Sequence, residues 1–274
     1  YHPAGYMCAM INAYIDNADK TKGYMSAAEK IGIKILQPDI NKSSNCFTVE
    51  NNNIRYGFAG IKGINKIAKS IERDREEKGK FKGIQDFCNR IYTKKISKKN
   101  MQALTYVGCF DCFGKTRRSI NESLDKIIES AKKNAASGDG QLNFFDELLI
   151  DGNLSNDDFI QDLAEYPKKI LLDKEYEISG MYITEHPLDR YREVIAKKNI
   201  SEISLLGDRD LGTRVTVCGM MKSVSTKITK KENRTMATFT IEDKSGSLNC
   251  VVFPDDFSQF GSRILENEIR VVTG

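Results

Sequence analysis

The chain has 274 residues, with 42 Lys/Arg against 38 Asp/Glu and a formal net charge of +4. No run of about 18 apolar residues is present to span a membrane, no secretory signal opens the chain, and seven Cys at scattered spacing fit a reducing cytoplasm better than a disulfide framework. The length suggests two or three domains, and a start at Tyr1 rather than Met leads us to expect part of a longer protein.

The small net charge hides an asymmetry: residues 54–135 carry 20 Lys/Arg against 9 Asp/Glu, and residues 136–210 carry 8 against 17. A basic block of this size points to a polyanion partner, foremost nucleic acid, with a merely solvated surface as the alternative. In residues 3–53, Tyr6, Met7, Met10, Ile11 and Tyr14 recur at helical spacing, with Asn17 and Asp19 as break and N-cap. A second helix is expected from about Lys20 to Ile31, closed by Gly32, followed by a short strand over Ile33–Leu36 that stops at Pro38. Cys46–Val49 and Ile54–Phe58 alternate like strands around the Asn51–Asn53 turn. His2 stands alone and reads as a surface or structural residue.

Ile61-Lys62-Gly63-Ile64-Asn65-Lys66 then opens a charged helix running through Arg75. A glycine-containing hairpin at a helix start exposes backbone N–H groups that can take phosphate oxygens, with the helix dipole behind them. The stretch resembles a helix-hairpin-helix motif, which grips the DNA backbone without reading sequence. Asn65 stands where that motif usually has a second Gly, and Asn tolerates a left-handed conformation. The alternative is an ordinary pair of helices. Residues 100–135 repeat the pattern: Met101, Leu104 and Val107 share a face, Gly108 to Gly114 turn the chain, and Thr116 caps a helix carrying Arg117, Arg118, Ile120 and Leu124. The resemblance implies backbone contacts from Lys62, Gly63, Ile64, Asn65 and Lys66 in the first hairpin, and from Gly108, Gly114, Lys115, Arg117 and Arg118 in the second. Cys109 and Cys112 have no second ligand pair nearby, so both read as packing residues.

Residues 136–163 read as a flexible arm with acidic flanks. On it lie Gln141, Leu142, Asn143, Phe144 and Phe145, three large apolar side chains with no neighbouring periodicity to bury them. They either dock in a partner's groove or tuck against their own domain. The pentapeptide resembles the sliding-clamp-binding motif of bacterial replication proteins. Tyr166 to Tyr176 is expected helical, and His186 before Pro187 reads as part of a structural turn.

Residues 211–274 switch to strand periodicity. Strands are expected from Val215, over Met236–Asp243, over Leu248–Phe253 and over Glu268–Val272, with a short helix at Asp255–Phe260. This order resembles an OB-fold, whose binding face needs cations for phosphates and aromatics for bases. Lys222, Lys227, Lys230, Lys231 and Arg234 supply the cations, while Phe239 and Phe253 suit stacking or core equally. The last strand is expected to be missing, so the barrel would be partial.

In this order the segments resemble the C-terminal part of the α subunit of bacterial DNA polymerase III, of the DnaE type. The residues that carry the resemblance include Tyr1-His2-Pro3, Gly32 to Leu36 with Pro38 to Asn41, Gly63-Ile64, Gly108, Phe110-Asp111, Gly114, Arg118, Gln141 to Phe145, Gly180 to Asp189, and Phe239 to Phe253. The OB-like strands follow the hairpins, whereas the PolC type carries its OB-fold near the N-terminus. The resemblance implies an α+β multidomain protein: end of the fingers region (1–53), tandem helix-hairpin-helix domain (54–135), clamp-binding arm (136–163), α/β connector (164–210) and partial OB-fold (211–274). It implies duplex DNA, single-stranded template, the β sliding clamp and other replisome subunits as partners, and a cytoplasmic location. The polymerase carboxylates and their Mg²⁺ ions would lie upstream of Tyr1, so the segment is expected to have no catalytic residues, metal or cofactor of its own. Asp146, Glu147, Asp151, Asp157 and Asp158 would repel DNA from the arm. A fragment of an NAD-dependent DNA ligase or a free-standing DNA- or clamp-binding protein is the alternative; the first needs a Lys-x-Asp-Gly nucleophile and a four-Cys zinc site, and neither occurs.

Overall fold

The computed structural model of the protein describes residues 2–91, 96–136, 157–198, 200–207, 212–229 and 233–274. They form two compact units: Tyr1–Ala18 with Ala28–Thr184, and Asp19–Ala27 with Glu185–Gly274.

The first unit opens with helix α1 (Pro3–Ala13), and helix α2 (Ala18–Lys30) is shared between the two units. Strands β1 (Ile35–Leu36), β2 (Thr48–Glu50) and β3 (Asn53–Arg55) follow, with β3 central, parallel to β1 and antiparallel to β2. Asn51 and Asn52 make the β2–β3 turn at φ 49° and 61°, the left-handed conformations a tight hairpin requires. Asn12 ties α1 to the sheet: its amide accepts from the Phe47 N–H at 2.9 Å and donates to the Phe47 carbonyl at 2.9 Å. A domain boundary between residues 53 and 54 would cut β3, so the sheet is continuous with the helices that follow it.

Those helices are α3 (Asn65–Lys78), α4 (Ile84–Ile91), α5 (Lys98–Tyr106), α6 (Arg117–Ala136) and α7 (Lys168–Ser179). Ile64, Ile67 and Ile71 from the start and flank of α3 are buried, as are Ile120, Leu124 and Ile127 of α6. The i, i+3/i+4/i+7 spacing sets each stripe on one helix face. Phe87 contacts Phe81 and Phe110 with ring centroids 5.0 and 5.2 Å apart in edge-on geometry.

Among the charged groups buried inside this unit, Arg117 and Glu175 pair with each other. Arg117 is 5 % exposed, and its guanidinium donates to both Asp111 oxygens at 3.1 and 2.8 Å, to the Tyr106 carbonyl at 2.8 Å and to Glu175 Oε1 at 2.8 Å. Glu175 is fully buried, and its other oxygen accepts the N–H groups of Ile183 and Thr184, each at 3.0 Å. The network fastens α7 and the 180–184 loop to the turn between α5 and α6.

The second unit centres on a four-stranded antiparallel sheet of order β6-β5-β4-β7: β4 (Thr216–Ile228), β5 (Thr235–Glu242), β6 (Ser247–Val252) and β7 (Ile269–Thr273). It is a curled half-barrel. β4 carries β7 on one edge, over Thr216–Met220, and β5 on the other, over Met220–Ile228, where a bulge between Lys222 and Ser225, with Ser223 at φ 52°, shifts the β5 register. Val217, Met221, Phe239 and Ile241 pack with Ile203 on the inner face. Short helices α8 (Arg192–Lys197) and α9 (Pro254–Phe260) flank the strands. His186 holds a turn: its Nδ1 accepts the Leu188 N–H at 3.2 Å, and the Asp189 carboxylate accepts the His186 N–H at 2.9 Å. Burial, then the charge of Lys244, lowers the His186 pKa to about 4, which keeps that acceptor neutral. Among the described residues no helix is long and apolar enough to cross a membrane.

Removing one partner of a buried ion pair strands the other, at a cost of about 3–5 kcal/mol. Glu175→Ala should therefore lower the urea-unfolding free energy by about that amount with an unchanged denaturant slope. Asp111→Ala, whose carboxylate is 38 % exposed, should cost less than half as much. Equal, small losses from both would deny the network its structural role.

Candidate nucleic-acid interface

The first hairpin is built around Gly63. Its φ of 82° is open to Gly at no steric cost, and it turns the chain so that α3 starts at Asn65 with a free end. Ile64 precedes α3 and carries no polar group to cap it; its carbonyl takes the Ile67 and Ala68 N–H groups at 2.9 and 3.0 Å, which leaves the Asn65 and Lys66 N–H groups open at the helix start. Ile64 itself is fully buried and anchors the turn. Asn65 is not left-handed; it is the first helical residue, and its N–H lies at the open helix end. The tolerance for left-handed backbone expected of Asn65 is therefore not used.

Two neighbours fix this end in place. The Lys62 N–H and ammonium donate to the carbonyls of Ile178 at 3.2 Å and Glu177 at 2.9 Å, near the C-terminus of α7, where a cation is favoured. Asn100 donates from Nδ2 to the Gly63 carbonyl at 2.9 Å. Asn100 also completes a capping box with Ser97 at the start of α5, accepting from the Ser97 N–H at 3.0 Å while Ser97 Oγ accepts from its N–H at 3.2 Å. The starts of α3 and α5 thus lie together, and exposed Lys62, Lys66, Lys98 and Lys99 surround them. Lys98, Lys99 and Asn100 were not among the residues expected from sequence.

The second hairpin is different. Thr116 caps α6 as expected, accepting the Ser119 N–H at 3.1 Å. The N–H groups of Arg117 and Arg118, however, donate to the two Glu165 oxygens at 2.8 and 3.1 Å. Lys115 pairs with Asp162 at 2.7 Å. Arg117, expected on the DNA side, is buried with its guanidinium bound to Asp111 and Glu175, and so is corrected to a structural residue. Gly108 serves that network: a Cβ there would fall 2.4 Å from Arg117 Nη2. Gly114 closes the turn in left-handed geometry. Arg118 remains exposed, its guanidinium 5.9 Å from the Tyr166 ring centre. Cys109 is fully buried, and burial pushes its thiol pKa up.

In the second unit, Lys222 donates to Asn267 at 2.7 Å and Arg234 to Asp255 at 2.5 Å, while Lys227 is exposed on β4. Lys230 and Lys231 lie outside the described residues. Phe239 belongs to the core, whereas Phe253 is 64 % exposed and shares the outward alternation of Asn249 and Val251. That outward period-2 pattern was the sequence signal for it. Gln141, Leu142, Asn143, Phe144 and Phe145 also lie outside the described residues, as do Asp146, Glu147 and Asp151. Asp157 is 7 % exposed and accepts the Ile84 and Gln85 N–H groups at 2.8 and 2.9 Å, so it is not a free charge guarding the arm.

Among the described residues, no group of three or more His, Cys, Asp or Glu converges to hold a metal ion. The pattern of a helix-hairpin-helix motif matches residues 32–120, and that of an OB-fold nucleic acid binding domain matches residues 215–274. Over its full length the chain is 33 % identical to the DNA polymerase III subunit alpha of Bacillus subtilis and 32 % identical to that of Borreliella burgdorferi, covering 24 % of each. It is 32 % identical over 99 % of its length to the same subunit of Treponema pallidum, covering 23 % of it. The chain thus spans about a quarter of the length of these curated relatives.

The two hairpin glycines should respond differently to substitution. Gly114→Ala meets no atom within 4 Å and should cost only the left-handed strain, about 1–2 kcal/mol. Gly108→Ala adds a clash with the Arg117–Asp111 pair and should cost about 3 kcal/mol or more by thermal or urea unfolding. The reverse order would contradict the packing described.

Proposed function

Because the chain belongs to the DNA polymerase III α-subunit family, we propose that it is a DNA-handling segment of a replicative polymerase, gripping duplex DNA behind the site of synthesis. The observation that carries this reading is the open start of α3, where unpaired backbone N–H groups, a helix dipole and four lysines meet on one exposed surface. Phosphate oxygens accept from such N–H groups, and the lysines release counterions from the duplex. None of these groups reads a base edge, so the grip is independent of sequence, as a polymerase that must slide requires.

The half-barrel would meet single-stranded template, with Lys222, Lys227, Lys230, Lys231 and Arg234 toward phosphates and exposed Phe253 toward bases. Gln141, Leu142, Asn143, Phe144 and Phe145 would dock in the β sliding clamp. A contact of modest affinity then keeps the polymerase near its primer and makes rebinding intramolecular. The sheet follows the hairpins in chain order, which favours the DnaE type over PolC. In the whole protein, Mg²⁺ ions would supply the nucleotidyl-transfer chemistry. The described residues offer no carboxylate cluster that fits such an ion, so no reaction step is assigned to this chain.

Lys62→Ala with Lys66→Ala should weaken duplex binding about tenfold on every sequence and flatten the salt slope by roughly 2. An unchanged slope would reduce the first hairpin to a connector. Changing Gln141, Leu142 and Phe145 together to Ala should lower affinity for the cognate clamp by at least about a hundredfold, as loss of interface anchors does. Unaltered clamp affinity would remove the pentapeptide from the interface.

A further inference from the structure

Residues 157–166 make a chain of anchored contacts across the helical unit. Asp157 accepts two N–H groups at the start of α4, at 2.8 and 2.9 Å, and Gly83 leaves room for it, since a Cβ there would lie 2.5 Å from its carboxylate. Further along, Asp162 reaches Lys115 at 2.7 Å. Leu163 bonds both ways, its N–H to Ser119 Oγ at 2.8 Å and its carbonyl from Thr116 Oγ1 at 2.9 Å. Glu165 takes the N–H groups of Arg117 and Arg118. Tyr166 lies against Tyr106 with ring centres 6.0 Å apart.

The two carboxylates on helix starts differ in burial. Asp157 is buried, so it is a fixed root. Asp162 has 85 % of its side chain exposed, and Glu165 is also exposed. Exposed ion pairs and caps hold weakly, by about 1 kcal/mol or less each, and are easily exchanged for another anion. Glu165 sets two oxygens on the two N–H groups of a 20-residue helix, beside Lys115 and Arg118. A DNA phosphate presents the same chemistry: paired anionic oxygens with a preference for a helix start and flanking cations.

We propose that residues 162–166 are an autoinhibitory strap, in which Glu165 occupies the start of α6 and Asp162 holds Lys115, keeping duplex DNA off the second hairpin until backbone phosphates displace them. The strap rests on the duplex-binding reading above and adds regulation to it: the first hairpin binds at once, and the second engages only when the strap lifts. Lifting frees Lys115, Arg118 and two N–H groups while Asp157 keeps the root attached.

The test is salt-dependent duplex binding by the full chain, followed by fluorescence anisotropy. Asp162→Asn with Glu165→Gln should raise affinity about tenfold at low salt and steepen the salt slope by roughly 2, for two added phosphate contacts. Glu129→Gln with Glu193→Gln, which removes two exposed carboxylates elsewhere, should change affinity less than twofold. Arg118→Ala added to the strap variant should abolish the gain. A gain absent, matched by the Glu129/Glu193 variant, or surviving Arg118→Ala overturns the strap. If the strap variant is unstable, the unaltered chain decides: duplex at low salt should speed amide exchange at residues 162–163, and unchanged exchange there overturns the proposal. Duplex binding by the unaltered chain without any strap effect leaves the first-hairpin reading standing, whereas no duplex binding by any variant removes both.

Discussion

The helical unit depends on one buried cation. Arg117 lies at the first position of α6, inside the protein, between Asp111 of the preceding turn and Glu175 of α7. An unpaired charge in that position would cost several kcal/mol, so the surrounding chain is arranged to pair it. Gly108 lacks a side chain where the guanidinium passes. The Tyr106 carbonyl points inward at the end of α5. Glu175 spends no oxygen on solvent, because its second one receives the N–H groups of residues 183 and 184. These contacts set where α5, α6 and α7 stand relative to one another, and α7 in turn carries the carbonyls that hold Lys62.

The same arrangement separates two hairpins that look alike. In the first, the helix start is open, ringed by lysines and fixed by Asn100 and α7. In the second, the residue that might have been the strongest phosphate ligand faces inward, and the helix start carries the Glu165 carboxylate. Both ends present N–H groups and a positive dipole. What differs is where the local anion sits: in the first case Asp125 pairs with the Lys98 side chain at 2.6 Å and no carboxylate is seated on the α3 N–H groups, whereas in the second the chain's own Glu165 takes the helix-start N–H groups.

Much of the fold was legible in the sequence because it rests on short-range rules. The helical repeats of residues 3–14, the Asn51–Asn52 turn, the Thr116 cap and the strand alternation of the last 60 residues all follow from neighbours within a few positions. The inward turn of Arg117 was also legible in principle: Arg117, Ile120, Leu124 and Ile127 share one helical stripe, and Arg118 does not. The basic character of the hairpin outweighed that spacing. The contacts of Glu165 with α6, of Asp157 with α4 and of Asn100 with Gly63 join residues 37 to 73 positions apart, and local patterns carry no signal for them. Composition marked residues 136–210 as acidic but could not separate a solvated carboxylate from one seated on a helix start.

The central claim is that duplex DNA meets the protein at the paired starts of α3 and α5. Lysine-modification footprinting tests it directly, by comparing amine reactivity with and without a duplex. Lys62, Lys66, Lys98 and Lys99 should be protected together, while Lys126 and Lys197 stay as reactive as in the free protein. Undiminished reactivity of the four, or equal protection of all six, would contradict it.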